Sequence, residues 1–362
     1  QPHGVLLVVD EPGLAVTHAS ENVAAHLGVA VQDVLGAPLS GVLDADTARQ
    51  VATALAHDRW DEMNPLRVVA RGKPFDGIVH RHAAAAIIEL EPAAHTPAYS
   101  PHHALRPALL RIQTAETLID LYRRMLSAVR ELTGFERVMI YRFGERGHGC
   151  VDAEVKEPAL ESYVGVHYPA SDIPQQARDL YTKNWLRIIP DARYVPARIV
   201  PERGAATGAP LDLSFAVLRS VSPVHREYLE NMGVRASMSV SLVVHGTLWG
   251  LISCTNHSGP RHVRYELRSA CEVLARLASL EIAALEDRHA GALRAARRGT
   301  EVALAQTMRT AASQDDVLGK ILEHESQLLA LVKADGAAGV TGHECVTFGA
   351  GRPPKLVLAL TD

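Results

Sequence analysis

From Arg261 onward the sequence keeps a helical pattern of apolar residues for roughly 50 residues, longer than a helix that packs within one ordinary domain. The apolar positions recur at alternating spacings of four and three: Val263, Leu267, Ala270, Leu274 and Leu277. Such a stripe suits a helix that packs on its own domain and on a partner helix, the alternative being an amphipathic helix buried within one chain. Together with a length of 362 residues, the pattern predicts two or three domains.

The block before this helix divides at a stretch containing proline and histidine, residues 92–107, which reads as a linker. Ahead of the linker, apolar runs at 5–9, 14–19, 66–71 and 77–90 predict strands, and short helices are predicted at 20–28, 31–35 and 44–56. Behind it, helices are predicted at about 115–132 and 175–185 and strands at 138–143, 149–155, 238–244 and 248–255, with an irregular stretch at 190–213. Both halves therefore predict an α+β domain with an antiparallel sheet flanked by helices.

Bulk properties exclude several classes of protein. The formal net charge of -4 gives no electrostatic footprint for nucleic acid, and no apolar run approaches the roughly 20 residues that cross a bilayer. Four scattered cysteines without a CxxC pair argue for a reducing, cytoplasmic compartment with neither disulfide framework nor zinc site. No phosphate-binding, dinucleotide-binding or hydrolase motif appears, so we expect a protein that is not an enzyme. His80, His82, His102 and His103 lack a third ligand at a recognised spacing, and we interpret them as surface histidines and not as metal ligands.

Several specific strings lie in the second domain. They are Tyr168-Pro169-Ala170-Ser171-Asp172-Ile173-Pro174, then Leu218-Arg219-Ser220-Val221-Ser222-Pro223-Val224-His225, Tyr228-Leu229-Glu230-Asn231-Met232-Gly233-Val234 and Leu248-Trp249-Gly250-Leu251-Ile252. In this order they resemble the GAF domain of phytochromes, and Gln1-Pro2-His3-Gly4 resembles the start of the phytochrome PAS domain. The chain as a whole resembles the photosensory region of a bacteriophytochrome.

The resemblance implies a fold and a ligand. It implies tandem PAS and GAF domains, residues 1–100 and 101–285, followed at 286–362 by a long helix into a truncated PHY domain. The ligand is a linear tetrapyrrole, biliverdin in the bacterial type. The function implied is red/far-red light sensing, in which photoisomerisation signals to an output domain outside this chain, usually a histidine kinase with its response regulator. A homodimer through the long helix is expected. The competing hypothesis is a light-independent GAF-type ligand sensor or dimerisation module.

The propionates of a bilin need charge-assisted donors, and a planar guanidinium suits a carboxylate. Arg187 and Arg219 match the family's propionate-binding arginines. The resemblance adds further donors around the propionates and ring waters: Ser222, His225, Ser237 and Ser239.

The pyrrole N–H groups of a bilin need an acceptor inside an apolar slot. The resemblance gives this role to the backbone carbonyl of Asp172, whose side chain could alternatively cap the helix that begins at Gln175. Ile173 and Pro174 would pack against the rings. The remaining positions that match the pocket lining are Met139, Tyr141, Tyr168, Tyr181 and Tyr228.

Two positions depart from the family pattern. Bacteriophytochromes attach the bilin to a cysteine upstream of the Gln1-Pro2-His3-Gly4 string, and we expect that cysteine to lie in a preceding segment; alternatively, the parent protein lacks it. Plant-type relatives carry their cysteine beside the histidine that matches His225, where this chain has Arg226. Thr255 stands where the family has a histidine that donates to the carbonyl of the terminal ring, and a threonine hydroxyl reaches less far.

Overall fold

The computed structural model describes residues 1–11, 13–56, 63–82, 85–93, 101–204, 208–310, 319–321, 323–341, 344–351 and 357. Its strands are β1 (Val5–Val9), β2 (Val16–Ser20), β3 (Leu66–Ala70), β4 (Lys73–His82), β5 (Ala85–Pro92), β6 (Arg137–Phe143), β7 (Gly149–Lys156), β8 (His167–Tyr168), β9 (Leu186–Ile189), β10 (Ile199–Val200), β11 (Ala236–Val244), β12 (Thr247–Asn256), β13 (Gly336–Thr341) and β14 (Glu344–Gly349). Its helices are α1 (Val23–Leu27), α2 (Val31–Val34), α3 (Leu39–Val42), α4 (Ala45–Ala56), α5 (Pro101–Gln113), α6 (Leu118–Thr133), α7 (Gln175–Lys183), α8 (Pro223–Asn231), α9 (Tyr265–Arg309) and α10 (Glu325–Val332).

The first sheet has the strand order β10-β2-β1-β5-β4-β3, with antiparallel pairs throughout. Side chains of one face, such as Leu7 and Ile88, pack with α1–α4 in the first core. Those of the other face, such as Leu6 and Ile87, pack against Leu218 of the second domain. Because both faces are covered, β1 is buried at every residue and reads as a continuous apolar run.

The strand β10 comes from the second domain. Ile199 pairs with Ser20 and Val200 with Ala19, so a stretch that the sequence analysis left irregular completes the edge of the first sheet. The first sheet is therefore assembled from both halves of the chain.

The second sheet has the order β8-β7-β6-β12-β11-β9 and is also antiparallel. The helix α6, which begins after the N-cap Thr117 and ends at the left-handed Gly134, packs on β6 and β7. On one face, Ser241 Oγ of β11 donates to the carbonyl of Tyr181 in α7 (2.7 Å). Helices thus flank the second sheet, and the predicted α+β class, with two antiparallel sheets flanked by helices, is confirmed.

Two local predictions are wrong. Residues 101–107 are not a linker but the first turns of α5. Pro101 lies in the first turn, where a missing N–H costs nothing, and Pro107 lies inside the helix. Residues 77–90 were predicted as one strand but belong to two antiparallel strands, β4 and β5. Residues 94–100 and 83–84 lie outside the described part of the chain.

The chain divides into two compact units, Gln1–Ala283 and Ala284–Asp362, and the helix α9 begins in the first and ends in the second. Of the apolar stripe at its start, Val263, Ala270 and Leu274 are buried within the chain. The second unit contains α10 and the hairpin β13–β14. Among the described residues, no helix is both long and apolar enough to cross a membrane.

Candidate functional site

One face of the second sheet gathers most of the strand residues that the sequence analysis selected. Residues directly opposite in an antiparallel pair lie on the same face, as do residues two apart on one strand. One row across the sheet is Met139, Ser253, Ser239 and Arg187. The neighbouring row is Arg137, Thr255, Ser237 and Ile189, and Tyr141 follows Met139 along β6. Six predicted site residues from four strands therefore share this face.

An apolar cluster lies over one end of that face. It brings together five predicted residues, Met139, Tyr141, Tyr168, Ile173 and Tyr181. The rings of Tyr141 and Tyr168 have centroids 5.7 Å apart. A Cβ on Gly149 would lie 1.9 Å from Cζ of Tyr141, so only glycine allows this tyrosine to take its place. Burial, with Asp172 and Tyr168 nearby, raises the pKa of Tyr141 to about 12, so the hydroxyl stays protonated at neutral pH.

Three polar side chains lie next to the aromatic cluster. Tyr228 of α8 donates from its hydroxyl to Oδ2 of Asp172 at 3.4 Å, and its ring stacks on that of His225 with centroids 6.1 Å apart. Burial, and next the Asp172 carboxylate, raises the pKa of Tyr228. Burial, and next the charge of Arg187, lowers the pKa of His225. The imidazole of His225 is therefore neutral at pH 7 and keeps one nitrogen as an acceptor.

Two arginines approach each other beside this group without a carboxylate between them. Arg187 is 9% exposed, and burial together with the charge of Arg219 lowers its pKa to about 10. Burial likewise lowers the pKa of Arg219, and its Nε is buried with no acceptor among the described residues. Within that part of the chain neither guanidinium has an ion pair, although each lies close enough to Tyr181 to be influenced by it. Glu89 acts on Arg187 and Asp212 acts on Arg219 without forming an ion pair, so two neighbouring cations, one buried and one half-buried, favour a ligand that carries carboxylates.

These residues fit a linear tetrapyrrole. The arginines supply charged donors for two propionates, and the cluster of Tyr141, Tyr168 and Ile173 supplies an apolar wall for planar rings. The orphaned Nε of Arg219 is a donor that such a carboxylate would satisfy.

Some selected residues have local roles as well. Ser222 caps α8 by accepting from the backbone N–H of His225 at 3.2 Å. The alternative role of Asp172 as a helix cap is wrong, because Pro174 occupies the N-cap of α7 and no side chain caps it. Asp172 instead lies in a turn, where its N–H donates to the Pro169 carbonyl (3.1 Å).

Thr255 is 6% exposed and lies 3.4 Å, through its Oγ1, from Nε2 of His257. The other ring nitrogen of His257 faces the carbonyl of Gly233 at 3.2 Å. A carbonyl only accepts, so Nδ1 carries the proton and a neutral ring leaves Nε2 as an acceptor. With such a neutral ring, the hydroxyl of Thr255 donates to Nε2 of His257.

Gln1 and Glu89, to which the sequence patterns assign no role in the site, contact the segment that carries Arg219. Glu89 accepts from the N–H groups of Val217 and Leu218 at 3.0 and 2.6 Å. One signal was available: Glu89 and Glu91 interrupt the apolar strand β5 at positions that share a face, where a carboxylate needs a specific partner.

The prediction that His80 is a surface histidine is wrong, because its side chain is 14% exposed and its Nδ1 lies 3.7 Å from Glu89.

A different group could hold a metal ion: ligand atoms of His3, Glu91 and His262 lie within 4.8 Å of one another. However, Arg268 of α9 donates to both oxygens of Glu91 at 2.8 Å. We therefore interpret this group as a buried ion pair between the two domains. The side chains of residues 102 and 103 lie outside the described part.

Comparisons with known proteins identify the family of the two domains. Residues 1–93 match a family model described as PAS fold, and residues 117–282 match the GAF domain model. Cyanobacterial phytochrome B of Nostoc sp. is 41% identical over 369 residues, which cover 100% of this chain and 49% of that protein. The chain thus spans less than two thirds of this curated relative.

Solved structures are similar over a larger share. The phytochrome photosensory core module of Stigmatella aurantiaca is 45% identical with a TM-score of 0.86, covering 99% of this chain and 72% of that one. The chromophore-binding domain of a bacteriophytochrome from R. palustris is 41% identical with a TM-score of 0.75, covering 80% of this chain and 95% of that one.

Proposed function

The chain belongs to the phytochrome family, and we propose that it is the photosensory part of a red/far-red light receptor that binds a bilin in its GAF domain. The observation that carries this proposal is the pair of arginines, the buried Arg187 and the half-buried Arg219, neither of which has an ion pair among the described residues, beside an aromatic cluster. The bilin supplies the absorption of light and a double bond that isomerises. The side chains described above hold it and respond to it.

Each residue has a proposed role. Arg187 and Arg219 bind the propionates, and Ser222, Ser239 and His225 add hydrogen bonds around them. The carbonyl of Asp172 accepts from the pyrrole N–H groups, and Ile173 and Pro174 pack on the rings. The remaining aromatic and sulfur side chains form the pocket around the terminal ring, with Ser237 and Thr255 on the sheet floor beneath.

We propose biliverdin as the bilin, since the chain is similar to a bacteriophytochrome and has no cysteine beside His225. Covalent attachment through a cysteine ahead of Gln1 is part of the same proposal. We further propose that residues 1–100, 101–285 and 286–362 form the PAS domain, the GAF domain and the long helix with part of a PHY domain. The output domain, its response regulator and a cytoplasmic location belong to the proposal for the parent protein, and within this chain we propose a sensory role without catalysis.

A homodimer through α9 is supported by a second apolar stripe on that helix. Val273, Leu277, Leu280 and Ala284 follow a four-three-four spacing, as in a coiled-coil seam. Val273 is 43% exposed and Leu280 is 70% exposed, which is high for large apolar side chains on one helix face. A second copy of the helix would cover both.

The test is to mix the chain with biliverdin and record absorbance before and after red light. A red-absorbing band that shifts reversibly under red and far-red light supports the proposal. Binding without a light-dependent change favours the light-independent ligand sensor, and absence of binding overturns the bilin site.

Two variants give the test its specificity. Arg187→Gln and Arg219→Gln should each raise the Kd for biliverdin by about tenfold, because a charge-assisted hydrogen bond is lost. Arg288→Gln, an exposed arginine of α9, is the matched control and should bind as the unmodified chain does.

A further inference from the structure

The segment that carries Arg219 has no regular secondary structure, yet side chains from β5, from β9 and from the first residue of the chain hold its backbone. Glu89 accepts from the N–H groups of Val217 and Leu218. Gln1 donates from Nε2 to the carbonyls of Val217 and Arg219, each at 3.2 Å. Arg187 donates to the same two carbonyls. Four backbone groups of an irregular segment are thereby satisfied by side chains.

Glu89 is the only anion of this set, and it belongs to the first sheet. It is fully buried on β5, two residues from Ile87, which packs with Leu218. Burial raises the pKa of Glu89 to about 7, and the two backbone N–H groups counteract that rise. A carboxylate is buried at a cost unless hydrogen bonds compensate, so the amides of residues 217 and 218 are what stabilise it there.

We propose that Glu89 of the PAS domain is a positioning residue for the bilin: it fixes the backbone of residues 217–219 and so holds the Arg219 guanidinium at the propionate site. The inference rests on the proposed function, because a propionate is the group that Arg219 would bind. Arg219 follows Leu218 directly, so releasing the amide of Leu218 frees the backbone from which the guanidinium extends.

Above its pKa of about 7 Glu89 is ionised, and this carboxylate is required because both of its oxygens accept. In Glu89→Gln the volume is nearly unchanged, but one amide of the segment meets an NH₂ group, and two donors then face each other. Glu91→Gln is the matched control: Glu91 is equally buried on the same face of the same strand, but its partner is Arg268 of α9.

The first experiment compares biliverdin with biliverdin dimethyl ester, in which the propionates cannot ionise. For Glu89→Gln we expect the Kd for biliverdin to rise about tenfold and the Kd for the ester to stay within about twofold. Glu91→Gln should change the two constants by the same factor. An equal change for both ligands in Glu89→Gln would overturn the proposal.

The second experiment needs no ligand. Hydrogen exchange of the amides of Val217 and Leu218 should quicken in Glu89→Gln, while the amides of β11 and β12 keep their protection. Unchanged exchange at these two amides would overturn the positioning role. If the unmodified chain fails to bind biliverdin, the proposed function fails, and this exchange measurement still decides whether Glu89 fixes the segment.

Discussion

At the scale of single residues, Thr255 is the side chain that sets this protein apart from the family pattern. Its Oγ1 lies 3.4 Å from Nε2 of His257, whose Nδ1 faces the Gly233 carbonyl, so with a neutral imidazole the Thr255 hydroxyl is the donor of this pair. A hydroxyl has one hydrogen to donate, so the donor that the family supplies by histidine is weak or missing here. We expect photoconversion that depends little on the hydroxyl.

The corresponding prediction compares two substitutions. Thr255→Val keeps the shape and should leave the dark-reversion rate within about twofold, whereas Thr255→His adds a donor and should change it by about 2- to 10-fold, equivalent to roughly 0.5–1.5 kcal/mol for one hydrogen bond. The measurement is the recovery of absorbance in darkness after red light. A change in Thr255→Val as large as that expected for Thr255→His would show that the hydroxyl already donates to the bilin, and an unchanged rate in Thr255→His would show that position 255 does not influence dark reversion.

At the scale of elements, the helix α9 presents an apolar seam in which Val273 and Leu280 are exposed. Leu280→Glu puts a charge at its most exposed position. We expect this variant to be monomeric by light scattering at concentrations where the unmodified chain is a dimer. Its free energy of unfolding per monomer should stay within about 0.5 kcal/mol of that of the unmodified chain.

The control for this prediction is another exposed leucine of the same helix. Leu293 is 43% exposed, and the 3.6-residue period places it away from the seam. Leu293→Glu should leave the dimer intact. Dissociation by both variants, or by neither, would count against a dimer through the seam.

Elements also show what could be predicted from the sequence. Strands β6 and β12 follow from local apolar patterns, and the strings around Asp172 and Arg219 located most of the candidate site. The pairing of β10 with β2 could not be foreseen, because two residues carry no periodic signal and their partner is distant in sequence. The contacts of Glu89 and His257 could not be predicted either, because their partners are also distant in sequence. The helix α5 was not predicted because prolines at 101 and 107 are typical of a linker.

At the scale of the whole molecule, buried histidines couple folding to pH. Burial lowers the pKa of His3 to about 3 and that of His80 to about 4, from an ordinary value of 6.5. Below pH 6.5 these histidines bind protons in the unfolded chain but not in the folded chain. The free energy of unfolding therefore decreases as the pH is lowered from 6.5 towards the folded-state pKa values. Burial raises the pKa of Glu89 to about 7, which opposes this trend between pH 7 and the ordinary 4.5.

His80→Gln should therefore reduce acid sensitivity. The loss of unfolding free energy between pH 6.5 and 5 should be smaller by about 2 kcal/mol than in the unmodified chain, since one pKa unit corresponds to about 1.4 kcal/mol. Urea titrations at the two pH values measure it. His289→Gln, at an exposed position of α9, should leave the difference unchanged. An unaltered difference in His80→Gln would mean that His80 is protonated in the folded protein.

The strand β10 bears on how this protein is made and how it could be recombined. During synthesis β2 leaves the ribosome long before residues 199–200. Until the second domain has been synthesised, the hydrogen-bonding edge of β2 is unpaired and the apolar side chains of Leu6 and Ile87 are exposed. We therefore expect the first domain to finish folding only together with the second. A chimaera that grafts residues 1–93 onto an unrelated sensor would leave that edge open and should aggregate.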